Sequence, residues 1–228
     1  MIRGKQFFTK GGKIVDINTW DTSGGLGDLN NRYGWEGAMA YGNLIHDELS
    51  SYGPGIKPGD IYLDLGANIG MSALRAEMSG ASKLYCIEPD PEVYKALRRN
   101  KGDNWETFNL AISDKNGVID IPKWPDWWDN VPRPCTTLED FLYVNHINHI
   151  DFMKVDIEGH EVSVLPTIPK EVYDKIEALF IEYHEDVNET DEQRSNKRLE
   201  FVENIKSKGY KNSHIHFGYH QSWMYFWK

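Results

Sequence analysis

Ile61-Tyr62-Leu63-Asp64-Leu65-Gly66-Ala67-Asn68-Ile69-Gly70 is the stretch that decides the fold of this chain. An apolar run carrying one acidic residue ends in a turn punctuated by two glycines. An apolar-patterned segment, Met71 to Met78, then begins. That order reads as strand, turn, helix, the opening of a nucleotide-binding α/β unit. Gly66 and Gly70 lack a Cβ, so the backbone can turn sharply there and approach a ligand closely. Lys83 to Ile87 reads as the second strand, and Glu88 sits at its end. A carboxylate in that place can accept two hydrogen bonds from a ribose diol.

Outward from this unit, strands and helices alternate. Asp90 is placed to cap a helix whose first residue is Pro91, with Val93, Tyr94 and Leu97 on its buried face. Phe108 to Ile112 reads as a third strand and Gly117 to Ile121 as an extra one. Thr137 to Leu142 reads as a short helix. Phe152 to Val155 is the fourth core strand, ending at Asp156, and Ala178 to Ile181 the fifth, ending at Glu182. Thr190-Asp191-Glu192-Gln193 is a capping box opening a helix that Gly209 closes, with Leu199, Val202 and Ile205 as its apolar face. Lys211 to Phe217 and Trp223 to Trp227 read as an antiparallel pair. Alternation of this kind implies a mostly parallel sheet covered on both faces. Before Ile61, residues 1 to about 34 read as an irregular arm with a short strand near Lys13 to Ile17, and Trp35 to Leu49 as a helix. The expected division is therefore an arm and helix over 1–56 packing on a domain over 57–228.

The 228 residues carry a formal charge of −10, a field that discourages non-specific binding to nucleic acid or an anionic membrane. Two cysteines, Cys86 and Cys135, make neither a disulfide framework nor a zinc site alone. No stretch approaches the ~18 apolar residues that span a bilayer. The first residues lack a signal-peptide core. The expectation is a cytoplasmic protein with no membrane partner; nothing in the charge pattern fixes an oligomeric state.

The glycine spacing separates two cofactors. A dinucleotide fingerprint wants glycine at its first, third and sixth positions, and counting from Gly66 these are Gly66, Asn68 and Met71. Asp-x-Gly-x-x-x-Gly instead resembles motif I of the S-adenosylmethionine-dependent methyltransferases. That cofactor carries a sulfonium cation, which suits the carboxylates Asp64, Glu88 and Asp156. Further runs extend the likeness: Glu88-Pro89-Asp90-Pro91, Ala111-Ile112-Ser113-Asp114, Thr136-Thr137-Leu138-Glu139-Asp140-Phe141 and Met153-Lys154-Val155-Asp156-Ile157-Glu158-Gly159-His160-Glu161. In order and spacing these resemble the FkbM family of methyltransferases over roughly residues 57 to 184.

The resemblance implies a class I methyltransferase fold. This is a Rossmann-like three-layer α/β sandwich on a mostly parallel seven-stranded sheet with an antiparallel C-terminal strand. It also implies S-adenosylmethionine as cofactor and O-methylation of a sugar, glycan or small metabolite. Carried over by residue, Gly66, Asn68 and Gly70 would line the methionine part of the cofactor and Glu88 would hold the ribose. Ser113 and Asp114 would flank the adenine, and Asp156 would close the site near the sulfonium. Asp64, Ala67 and Pro89 fall in the same motifs and are assigned to the cofactor site with them. The chain departs from the family at Val164-Leu165-Pro166-Thr167 and in the short segment before Thr136, both beside the acceptor site.

Methyl transfer to an alcohol is an in-line displacement whose rate owes much to orientation, and the alcohol must lose a proton. His160, His184 or a carboxylate such as Asp156 could take it. His184 is preferred, because the end of the fifth strand should face the acceptor. Asp156, Glu158, Glu182 and His184 could hold magnesium or manganese, but helix capping and cofactor binding account for most of the same carboxylates, so no metal is assigned. Pro122 to Asp129, with Trp124, Trp127 and Trp128, reads as an aromatic wall for a sugar or base, or as a lid on the core. His214, His216 and His220 resemble a metal cluster but fit a solvated surface better. Two other functions compete. A nucleic-acid methyltransferase is disfavoured by the charge. A non-catalytic interaction protein retaining the fold is disfavoured by the complete cofactor motifs.

Overall fold

A computed structural model describes residues 6–8, 14–16, 54–122, 130–186, 188–217 and 221–228. The helix expected over Trp35 to Leu49, the tryptophans of 124–128 and His220 lie outside these residues.

Two short strands, β1 (Gln6–Phe8) and β2 (Ile14–Asp16), pair antiparallel. The central sheet is built from β3 (Ile61–Leu65), β4 (Lys83–Ile87), β5 (Trp105–Phe108), β9 (Ile150–Val155), β10 (Ile176–His184), β11 (Asn212–Phe217) and β12 (Gln221–Trp227). Its spatial order is β11-β12-β10-β9-β3-β4-β5. The strands from β5 to β10 run parallel, and β12 lies antiparallel between β10 and β11. The helices are α1 (Met71–Ser79), α2 (Pro91–Asn100), α3 (Leu138–Val144), α4 (Glu161–Val164), α5 (Lys170–Tyr173) and α6 (Asp191–Ser207). No helix among the described residues is long and apolar enough to cross a membrane.

The local signals act as read. The Asp90 carboxylate accepts from the Glu92 and Val93 amides and caps α2. Thr190 and Gln193 form a reciprocal capping box at α6. The middle strands are apolar on both faces, because side chains alternate and both faces are covered. Leu63, Leu65, Met153, Val155, Leu179 and Ile181 join one core with Met224 and Phe226. Tyr62, Phe152, Ala178, Phe180 and Tyr225 join the other. Cys86 is fully buried as a small apolar residue.

Three expectations are corrected. The third strand is two: β5 stays in the central sheet, whereas β6 (Ala111–Ile112) leaves it for a separate three-stranded sheet, β6-β8-β7. That sheet holds the extra strand β7 (Gly117–Pro122) and an unforeseen one, β8 (Asn130–Thr136). Two prolines inside β8 masked its strand character; pairing to β7 on one side and only briefly to β6 on the other tolerates them. In α6, Leu199 is exposed and Phe201 takes its place in the core beside Val202 and Ile205.

Candidate active site

The carboxyl ends of β3, β4, β9 and β10 converge, and the turns leaving them carry the candidate residues. Gly66 sits at φ +79° and Gly70 at φ +96°, in the left-handed region that favours glycine. A Cβ on Gly66 would lie 1.7 Å from the Asp156 carbonyl oxygen, so β3 and β9 close on each other only because that atom is missing. The Gly66 and Ala67 amides both donate to the Ile87 carbonyl, which fixes the turn against β4. Asn68 is also left-handed, at φ 50°.

Glu88 is nearly buried, and its carboxylate is held from two sides. The Asn68 amide donates to Oε2 and the Asp90 amide to Oε1, each at 2.9 Å. Burial pushes its pKa up to about 7, although both amides favour the ionised form. Asp64, fully buried in β3, stands opposite Lys154 of β9. The Lys154 ammonium donates to the Gly66 carbonyl at 2.9 Å and lies 3.3 Å from Asp64 Oδ1 and 3.2 Å from Asp156 Oδ2. Burial would lower the Lys154 pKa, but Asp156, Asp64 and Glu182 outweigh it and the shift is upward. Burial raises Asp64 to about 6 against the pull of Lys154.

Gly66, Asn68, Glu88, Pro89 and Asp156 line one cavity, with apolar walls from Ile112, Ile119 and Ile121. Asp64, Ala67 and Gly70, in the same strand and turn, do not line it. Ser113 and Asp114 do not line it: Ser113 is buried, donates its amide to Thr136 and pairs its hydroxyl with Asp114 at 3.1 Å. Ala111 and Ile112, two residues earlier, occupy the wall. Ile119 and Ile121 were not expected at this cavity, since a β7 side chain reaches it only through the separate sheet. A mixed lining of carboxylates, open backbone and aliphatic side chains fits a nucleoside joined to a cationic chain.

His160 lines the same cavity, at the N-terminus of α4. His184, at the end of β10, lines an adjoining cavity with Tyr183, Glu185 and Arg194, and Glu158 belongs to both. His184 Nδ1 lies 3.0 Å from Glu161 Oε1, and Nε2 lies 3.5 Å from Glu158 Oε2 and 3.9 Å from Glu182 Oε1. Burial lowers the pKa of this imidazole, but the Glu161 hydrogen bond and the charges of Glu161, Glu158 and Asp156 raise it further, to about 9. Asp156, Glu158 and His184 offer atoms within 4.8 Å of one another, a set that could accept a hard divalent cation. The ammonium of Lys154 beside Asp156 already supplies a positive charge to that set. His216 stacks on Trp223 and takes no part in this site.

Known proteins resemble this chain in sequence and in architecture. A family model described as "Methyltransferase FkbM domain" matches residues 64–211. A "2-O-methyltransferase NoeI" of Sinorhizobium fredii is 29% identical over 157 residues, which are 56% of this chain and 64% of that protein. A "31-O-demethyl-FK506 methyltransferase FkbM" of Streptomyces tacrolimicus is 34% identical over 79 residues, 33% of this chain and 30% of that one. The chain thus spans less than two thirds of the length of either curated relative. Among solved structures, fibrillarin of Aeropyrum pernix in complex with natively bound S-adenosyl-L-methionine aligns with a TM-score of 0.53 at 12% identity. The alignment covers 97% of this chain and 92% of that one, a likeness of fold. With its motifs in order and the family model matching well over half its length, the chain belongs to the FkbM family of S-adenosylmethionine-dependent methyltransferases.

Proposed function

We propose that this protein transfers a methyl group from S-adenosylmethionine to a hydroxyl of a sugar, glycan or small metabolite. One observation carries the reading. The cavity lined by Gly66, Asn68, Glu88 and Asp156 meets a second, polar cavity at Glu158, and His184 stands on the second side of that junction. A donor in the first cavity and an acceptor in the second would meet beside Asp156, Glu158 and His184. Both curated relatives carry an oxygen position in their names, which supports a hydroxyl acceptor.

When bound, S-adenosylmethionine supplies a methyl group already activated on a sulfonium. The protein's work is to hold and orient. Glu88 would accept from the ribose hydroxyls, using lone pairs left after its two amide bonds. Asp156 lines the same cavity and would flank the cofactor, and Lys154 fixes where that carboxylate points. His184 Nε2 takes the proton that the acceptor hydroxyl loses. Because its neighbours hold the imidazole protonated at neutral pH, this step is favoured as pH rises toward 9. The second cavity presents Glu158 and Asp186 beside two ion pairs, Arg194 with Glu185 and Lys197 with Glu189. Such a lining offers hydrogen-bond acceptors to the hydroxyls of a polar acceptor.

Calorimetric titration with S-adenosylhomocysteine, followed by transfer from methyl-labelled S-adenosylmethionine to a panel of sugars, oligosaccharides and hydroxylated metabolites, tests the reading. Micromolar binding with label in a hydroxyl of one class supports it. A folded protein that binds no S-adenosylhomocysteine refutes it.

A further inference from the structure

We propose that Glu161 is a positioning residue that fixes the His184 imidazole, holding Nδ1 and turning Nε2 toward the acceptor side of the site. The inference rests on the methyltransferase reading for its purpose, but its geometry is independent of any ligand.

The Glu161 side chain has no exposed surface. Its two oxygens bind three groups. Oε2 accepts from the Gly159 amide at 3.0 Å. Oε1 accepts from the His184 amide at 2.6 Å and lies 3.0 Å from His184 Nδ1. One carboxylate therefore clamps the turn after β9, the end of β10 and the imidazole. A carboxylate so placed is an acceptor only, so Nδ1 must carry the hydrogen. The lone pair of the neutral ring then lies on Nε2, the nitrogen that faces Glu158, Glu182 and the junction of the two cavities. This is the logic of a buried carboxylate that selects a tautomer and an orientation for a histidine. Holding the two amides would not require Glu161 to reach the ring as well. The imidazole bond is the part that serves chemistry.

Two variants separate positioning from scaffolding. The full chain, labelled with ¹⁵N at histidine and saturated with S-adenosylhomocysteine, is followed by long-range ¹H–¹⁵N correlation spectra across pH 6 to 10.5. The His184 signals are assigned by their loss in His184→Gln. In the wild type the neutral His184 ring should carry its hydrogen on Nδ1. In Glu161→Leu the hydrogen should move to Nε2, where Glu158 and Glu182 can accept it, while S-adenosylhomocysteine affinity stays within about threefold. On an acceptor found by screening, kcat should fall at least a hundredfold with KM for S-adenosylmethionine little changed. A wild-type ring protonated on Nε2, or a tautomer unaltered in Glu161→Leu, overturns the proposal. Should Glu161→Leu fail to fold, Glu161→Gln decides. Its amide oxygen can still accept from Nδ1–H, so the tautomer should persist while the ring titrates at lower pH. An unchanged titration overturns the proposal. If the wild type binds no S-adenosylhomocysteine, the cofactor reading falls, and the tautomer in the unliganded chain still decides the role of Glu161.

Discussion

Replacing Glu88 with alanine tests the cofactor assignment most directly. Its carboxylate has about four lone-pair sites, and the amides of Asn68 and Asp90 use two of them. The remaining two are available to a vicinal diol in the cavity that Glu88 lines. Hydrogen bonds to a charged group contribute about 1.5–3 kcal/mol, so Glu88→Ala should weaken S-adenosylhomocysteine binding roughly ten- to 150-fold. Isothermal calorimetry measures this, with circular dichroism and thermal melting to show that the variant is folded. The melts matter because the Asn68 and Asp90 amides also lose their acceptor and must turn to water. An analogue lacking both ribose hydroxyls completes a double-mutant cycle. It should bind wild type and variant within about threefold of each other, since neither complex then contains the contact. Unchanged affinity for S-adenosylhomocysteine in a folded variant, or an equal loss for the analogue, would refute the ribose assignment.

Because burial raises Glu88 to about 7, its carboxylate must lose a proton to accept from the ribose, so S-adenosylhomocysteine affinity should rise with pH, at most about tenfold per unit, and level off above 7. Calorimetry from pH 5.5 to 8.5 reads this, and a flat profile contradicts it. Gly66→Ala would drive a Cβ into the Asp156 carbonyl at φ +79°, and should destabilise the fold by about 3 kcal/mol or more; a melting temperature within 1–2 °C of wild type would be the wrong result. Lys154→Met leaves Asp64 and Asp156 without their shared cation and should cost about 3–5 kcal/mol near neutrality. Without the ammonium the folded-state pKa of Asp64, already about 6, rises further. A raised carboxylate pKa means stability that falls as pH climbs through it, so the deficit in denaturant melts should be larger at pH 8 than at pH 5.5. With an acceptor in hand, kcat/KM should climb between pH 7 and about 9 and then level as His184 loses its proton, and His184→Gln should abolish the climb.

Much of this fold is local and was therefore legible. Apolar runs of strand length, the Asp90–Pro91 helix start, the Thr190 capping box and the glycines at 66 and 70 each act through neighbours in the chain, and each acts as expected. The motif order also gave the family. The errors came where pairing is non-local. β6 parts from β5 within a few residues, and β8, for which no element was expected, forms because a separate sheet accepts it. With β6 and β7 in that separate sheet, Ile112, Ile119 and Ile121 form the apolar wall of the cavity.

The sequence by itself determined the strand, turn and helix at Ile61 to Met78, the alternation that follows it and the residue types at the strand ends. Only the tertiary structure decided their partners. Lys154 was visible as the one charge in the apolar run Phe152 to Val155, but its position between Asp64 and Asp156 depends on β9 lying beside β3 in one register. Glu161 and His184 are 23 positions apart and meet because α4 packs at the end of β10. A side chain's type is written in the chain. Its hydrogen-bond partner, and through it its charge and orientation, depends on which strands lie side by side and in what register.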